Sequence, residues 1–133
     1  MKQPNITGIH HLALKCRGAE EFEATVAFYR DLLCLPVARA WGEGENAGIM
    51  LDTGAGLLEI FANASDRLEE GAIRHFALAA EDVDACVETV RKAGYPITVE
   101  PKDICIPSDP PYPARIAFCR GPVGEEIEFF CVK

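Results

Sequence analysis

His11-Leu12-Ala13-Leu14 and His75-Phe76-Ala77-Leu78 are two versions of one phrase, set 64 residues apart in a chain of 133. Self-similarity at half the chain length predicts a duplicated supersecondary unit. Each copy leads into an acidic segment of helical period. The first runs from Glu20 to Leu33, where Phe22, Val26, Tyr29 and Leu33 recur as one apolar stripe. The second runs from Val83 to Ala93, with Asp82 placed to cap its start and Gly94 and Pro96 to stop it. Each half then closes on a strand holding one carboxylate among hydrophobes, Leu57-Leu58-Glu59-Ile60-Phe61 and Glu126-Ile127-Glu128-Phe129-Phe130. Histidine and glutamate stand 48 residues apart in the first half and 53 in the second, and the excess falls in Pro101 to Pro113, which predicts a loop. Val37–Trp41 and Ile49–Asp52, then Ile97–Glu100 and Arg115–Arg120, supply two further strands per half. The expectation is an α+β fold of βαβββ twice over. It forms a single domain across 1–133, with module one at about 7–64, module two at about 72–133, and a polar bridge around Asn63 to Gly71 between them.

Composition narrows what such a fold can do. No apolar run approaches the roughly 20 residues that span a bilayer. The start shows no apolar signal region, so a cytoplasmic location is expected. A net charge of −8 without a Lys/Arg cluster argues against nucleic acid, whose binding depends on phosphate contacts. Small anionic ligands need only one or two local cations. None of the six cysteines is spaced as CxxC and five sit among apolar neighbours, so reduced core thiols are expected.

Strand parity adds chemistry. Alternate residues of a strand face opposite ways. His11 therefore shares a face with Ala13 and Lys15, and His75 with Ala77 and Ala79, while Leu12, Leu14, Phe76 and Leu78 turn towards the helices. His10 is assigned to the opposite face. Glu59 and Glu128 alternate with Leu58, Ile60, Ile127 and Phe129, so both carboxylates share the non-helical face. Two imidazoles and two carboxylates would converge if the modules curl against each other. Carboxylates among hydrophobes are costly without a compensating cation, so the set favours a metal. Mixed nitrogen and oxygen donors suit an octahedral Ni, Co, Mn or Zn, with about one divalent ion per chain.

With these pieces the chain resembles the vicinal oxygen chelate superfamily, the glyoxalase/bleomycin-resistance/dioxygenase group, over essentially its whole length. The resemblance rests on Ile9-His10-His11-Leu12-Ala13-Leu14, Phe28-Tyr29-Arg30-Asp31-Leu32-Leu33, Leu58-Glu59-Ile60-Phe61, His75-Phe76-Ala77-Leu78, Arg115-Ile116-Ala117-Phe118 and Gly121-Pro122-Val123-Gly124-Glu125-Glu126-Ile127-Glu128-Phe129. It implies a curved, barrel-like mixed sheet with helices outside. The four ligand positions correspond to His11, Glu59, His75 and Glu128, a set similar to that of bacterial glyoxalase I. It further implies lyase/isomerase chemistry of the lactoylglutathione lyase class, through an enediolate of a hemithioacetal or related α-hydroxy carbonyl compound. Glu128 is the first choice for the base and Glu59 the second. Lys15 and Asn63 stand where that group grips a thiol adduct.

The sequence also departs from the pattern. Ala64-Ser65 replaces the Trp-Gly of glyoxalases, Cys34 stands where the helix usually ends in glycine, and Gly121 where aspartate is usual. The alternatives are a fosfomycin-type thiol transferase, using three of the four ligands, and a metal-free drug-sequestering protein of the bleomycin-resistance kind. Exposed sheet edges invite pairing, and the family's usual answer, a homodimer, is expected. No membrane partner is expected.

Overall fold

The computed structural model of the chain describes residues 5–66 and 71–133, so the expected polar bridge lies partly outside the described residues. Eight strands form two four-stranded mixed sheets, an α+β arrangement. Module one carries β1 (His11–Lys15), α1 (Gly18–Val26), β2 (Val37–Trp41), β3 (Gly48–Asp52) and β4 (Leu57–Phe61), with sheet order β1-β4-β3-β2. Module two carries β5 (Phe76–Ala79), α2 (Val83–Lys92), β6 (Ile97–Ile106), β7 (Tyr112–Arg120) and β8 (Glu126–Val132), in the matching order β5-β8-β7-β6. The sheets curve but do not close into a barrel. In each, the first strand lies at an edge and runs parallel to the strand bearing the carboxylate, with His11 opening β1 and His75 immediately before β5.

Local chemistry sets the helix ends. The carboxyl of Asp82 accepts the Ala85 N–H at 3.0 Å, capping α2, while Arg91 and Lys92 sit in its last turn. Glu21 reaches back to accept the Arg17 N–H at 2.8 Å and closes the start of α1. The expected single helix over Glu20–Leu33 is not regular: α1 gives way to a π-helical turn over Ala27–Leu32. Two consecutive side chains of that wide turn, Phe28 and Tyr29, lie in the core. Cys34 leaves the turn at φ 61°, the left-handed conformation that glycine adopts without strain.

A second correction concerns Pro101 to Pro113. β6 continues to Ile106 and β7 begins at Tyr112, so most of the expected loop is strand. β6 is the sheet edge, and its register shifts between Val99 and Lys102, around Pro101. An edge strand tolerates proline at such an irregularity because no ladder hydrogen bond is lost there.

One apolar core runs through both modules, from Val26, Leu58 and Ile60 to Val87, Ile127 and Phe129. Phe28 meets Tyr95 edge to face at 4.7 Å, and Tyr29 lies against Phe76 at 6.4 Å. The Tyr29 hydroxyl donates to Glu125 at 2.6 Å. Burial, followed by the Glu125 charge, pushes the Tyr29 pKa well up, which keeps it a donor. Gly121 makes room for this contact. A Cβ there would stand 2.5 Å from the Glu125 carboxyl, so Glu125 fills the space that a side chain at 121 would take. Tyr29→Phe should therefore lower Tm by about 5–10 °C, as expected for about 1–3 kcal/mol lost at a polar group denied its partner. Tyr112→Phe on the exposed rim should stay within about 2 °C in the same calorimetric scan.

All six cysteines are free thiols. Burial raises Cys119 to about 12 and Cys16 to about 11, so both remain protonated near neutral pH.

Candidate metal centre

The helices cover one face of each sheet, and the other face is open. On the covered side Leu58, Ile60, Ile127 and Phe129 are all 2% exposed or less. On the open side His11, Ala13, Lys15, Ala77 and Ala79 are exposed, as parity predicts.

Each open face holds one histidine–carboxylate pair. Nε2 of His11 lies 3.4 Å from Oε1 of Glu59, and Nε2 of His75 lies 3.3 Å from Oε1 of Glu128. The two pairs match in exposure as well, with side chains at 40% and 10% in the first and 41% and 12% in the second. Register explains the match. Glu59 is directly opposite Ala13, two residues beyond His11, and Glu128 is directly opposite Ala77, two beyond His75. An alanine in each pair's centre leaves the carboxylate reachable from the open side.

Burial pushes the Glu128 carboxyl above its ordinary range, and His75 offsets this in part. The ring of His75 stands edge-on to Phe118 at 5.3 Å, and Phe118 is directly opposite Glu128 on β7, so one aromatic wall supports both members of the pair. In the first module Met50 takes the Phe118 position.

His10 corrects the parity reading. It precedes the first residue of β1, as His75 precedes the first residue of β5. Its Nδ1 lies 2.9 Å from Nδ1 of His11, with the rings edge to face at 5.2 Å. This contact occupies the Nδ1 of His11 and leaves its Nε2 facing Glu59. The signal was the tandem His10-His11 itself.

Lys15 and Asn63 lie at one end of the same open face. Lys15 is directly opposite Phe61, and Asn63 forms an isolated bridge with Arg17. Both side chains are exposed.

The donor chemistry fits a divalent cation. Two donors at about 2.1 Å from one ion, roughly at right angles, stand about 3 Å apart, close to the separation within each pair. A single chain brings the four residues together only two by two. Among the described residues no group of three or more His, Cys, Asp or Glu side chains could hold a metal. Beside His75, between β1 and β5, lies a cavity of about 290 Å³ lined by Lys15, Arg74, Arg120 and Glu125 among others.

The family model described as "Glyoxalase/Bleomycin resistance protein/Dioxygenase superfamily" matches residues 8–129. No curated protein sequence matches the chain. Among solved structures, the chain is similar to a lactoylglutathione lyase from Agrobacterium tumefaciens, with 21% identity over 96% of this chain and 95% of that one and a TM-score of 0.63. It is similar to the trypanothione-dependent glyoxalase I of Leishmania major, with 22% identity over 91% and 84% of the two chains and a TM-score of 0.67. It is also similar to TnmS3, an antibiotic-binding protein from Streptomyces sp. CB03234, with 16% identity over 98% and 100% and a TM-score of 0.72. At these identities the likeness speaks to the fold.

Proposed function

The chain belongs to the glyoxalase/bleomycin resistance protein/dioxygenase superfamily, and from that footing we propose that it is a divalent-metal-dependent lyase/isomerase of the glyoxalase kind. Its substrate on this reading is a hemithioacetal or related α-hydroxy carbonyl compound. The observation that carries the proposal is the pair of matched histidine–carboxylate sites on the two open faces. His11, Glu59, His75 and Glu128 would hold one ion of Ni, Co, Zn or Mn, about one per chain. Because each face offers two donors, four donors require two faces to meet. Within a chain, Tyr29 and Phe28 tie the modules together on the helix side, through Glu125, Phe76 and Tyr95. We therefore assign the meeting of open faces to a homodimer, in which the first sheet of one protomer faces the second sheet of its partner. Two-fold symmetry then builds two equal sites.

The chemistry a divalent ion supplies at such a site is Lewis acidity towards an oxyanion developing on the substrate. The protein's own residues do the rest. Glu128, whose proton affinity burial raises, is placed to take the carbon-bound proton and return it one carbon away. Glu59 mainly balances charge and stands second as base. His10 and Phe118 hold the two imidazoles in orientation. Lys15 and Asn63 would grip the substrate away from the reacting carbon.

The similarity to an antibiotic-binding protein favours one second reading, a metal-free sequestering function. Metal content separates the two. Protein prepared without chelator should hold about one divalent ion per chain by elemental analysis, and methylglyoxal with glutathione should exchange its carbon-bound proton with solvent. Metal near zero that Ni and Zn do not restore, with drug binding unaffected by EDTA, would favour sequestration. His10→Ala keeps all four donors, yet it should weaken metal affinity by about 10–100-fold, the usual worth of an outer-shell partner. Competition with a chromogenic chelator reads this directly.

A further inference from the structure

The open face of the first sheet can be laid out row by row from its register. One row reads Ala13, Glu59, Met50, Arg39, and the next reads Lys15, Phe61, Gly48, Trp41. Trp41 is on the edge strand β2, yet its indole does not point outwards. It lies across Gly48, where an added Cβ would collide with the ring, and it meets Phe61 at 6.2 Å with the planes at 65°. One face of the indole is thus seated on bare backbone, and the residue as a whole is left 40% exposed. Arg39 stands two residues away on the same face of the same strand. Among the described residues the side chains of Arg39 and Lys15 make no hydrogen bond or ion pair. In a chain of net charge −8, this face therefore presents Arg39 beside a flat aromatic surface, with Lys15 on the opposite edge strand of the same face. From strand spacing and rise, Trp41 and Glu59 are about 12 Å apart between Cα positions, within the span of one small substrate.

The second sheet lacks the device. Its equivalent row is Ala79, Phe130, Ile116, Lys102, with isoleucine in place of the glycine and lysine in place of the tryptophan.

We propose that this face is a subsite for an aromatic carboxylate, with a planar ring stacked on the outer face of Trp41 and the acid group on Arg39. The proposal rests on the reading of the open face as the substrate cleft and names the class of substrate it accepts. An indole face prefers a stacked ring to an aliphatic one of equal bulk by about 0.5–1.5 kcal/mol, a factor of about 3–10 in affinity.

Trp41 is the one tryptophan in the chain, so its emission reports on this site alone. The full-length protein, freed of metal with chelator, is titrated with phenylacetate, cyclohexylacetate, acetate and benzyl alcohol. Phenylacetate should bind about 3–10-fold tighter than cyclohexylacetate, and benzyl alcohol about fivefold weaker for want of the charge. Arg39→Gln, an exposed substitution that leaves the core intact, should bring phenylacetate down to the level of benzyl alcohol. Trp41→Leu, followed by calorimetry, should erase the preference for the aromatic ring. Cyclohexylacetate binding as tightly as phenylacetate, Arg39→Gln without effect, or emission unmoved by every ligand would each overturn the proposal. The titration needs no metal. A failed metal analysis would sink the lyase reading and leave this ranking standing, and a failed ranking would leave metal content and proton exchange untouched.

Discussion

Glu128→Gln is expected to slow exchange of the substrate's carbon-bound proton by about 10²–10⁴-fold, the usual worth of a positioned general base. The amide keeps an oxygen where the carboxylate oxygen stood, so metal content should fall only modestly. Two observations single out Glu128 over Glu59. Burial raises its pKa, and the Phe118 ring stands against its partner His75. Glu59→Gln should cost less, since that residue mainly sets the charge of the centre. Proton exchange followed by NMR, with metal measured on the same samples, tests both. If Glu59→Gln is the more damaging change at full metal content, the two roles are reversed.

His11→Ala and His75→Ala should each empty the centre, with a loss beyond the about 10–100-fold expected for His10→Ala. Each removes one of two donors on its face, and among the described residues no third His, Cys, Asp or Glu completes a site there. Neither should unfold the protein. Both side chains are about 40% exposed on open faces, and neither belongs to the apolar core. The combination of a near-wild-type Tm with lost metal distinguishes ligation from a structural role.

The duplication and the pairing of each histidine with its carboxylate on one open face were legible because period and parity are local. β4 runs over Leu57–Phe61 as its alternation requires, and Asp82 caps α2 as its position requires. The features that escaped depend on partners that sequence spacing does not encode. Pro101 reads as a loop residue until β6 is known to be an edge with a shifted register. The widened turn at Ala27–Leu32, from which Phe28 and Tyr29 pack against Tyr95 and Phe76 of the other module, is not written in a helical period. His10 reads as opposite to His11 because alternation does not foresee the contact between two adjacent rings. Parity says which face a donor occupies, but it does not say which face lies across from it. That is why the sequence suggests one cleft of four donors and a single chain shows two pairs.

Subunit complementation tests the shared centre most directly. One variant carries His11→Ala and Glu59→Ala, the other His75→Ala and Glu128→Ala, each with its own affinity tag. Either homodimer alone should be empty of metal. Mixed dimers isolated through both tags should hold about one ion per pair, because one of the two symmetric sites draws its first sheet and its second sheet from undamaged faces. Mixed dimers as empty as their parents, or a wild-type chain that holds its ion as a monomer, would contradict a centre built from two copies.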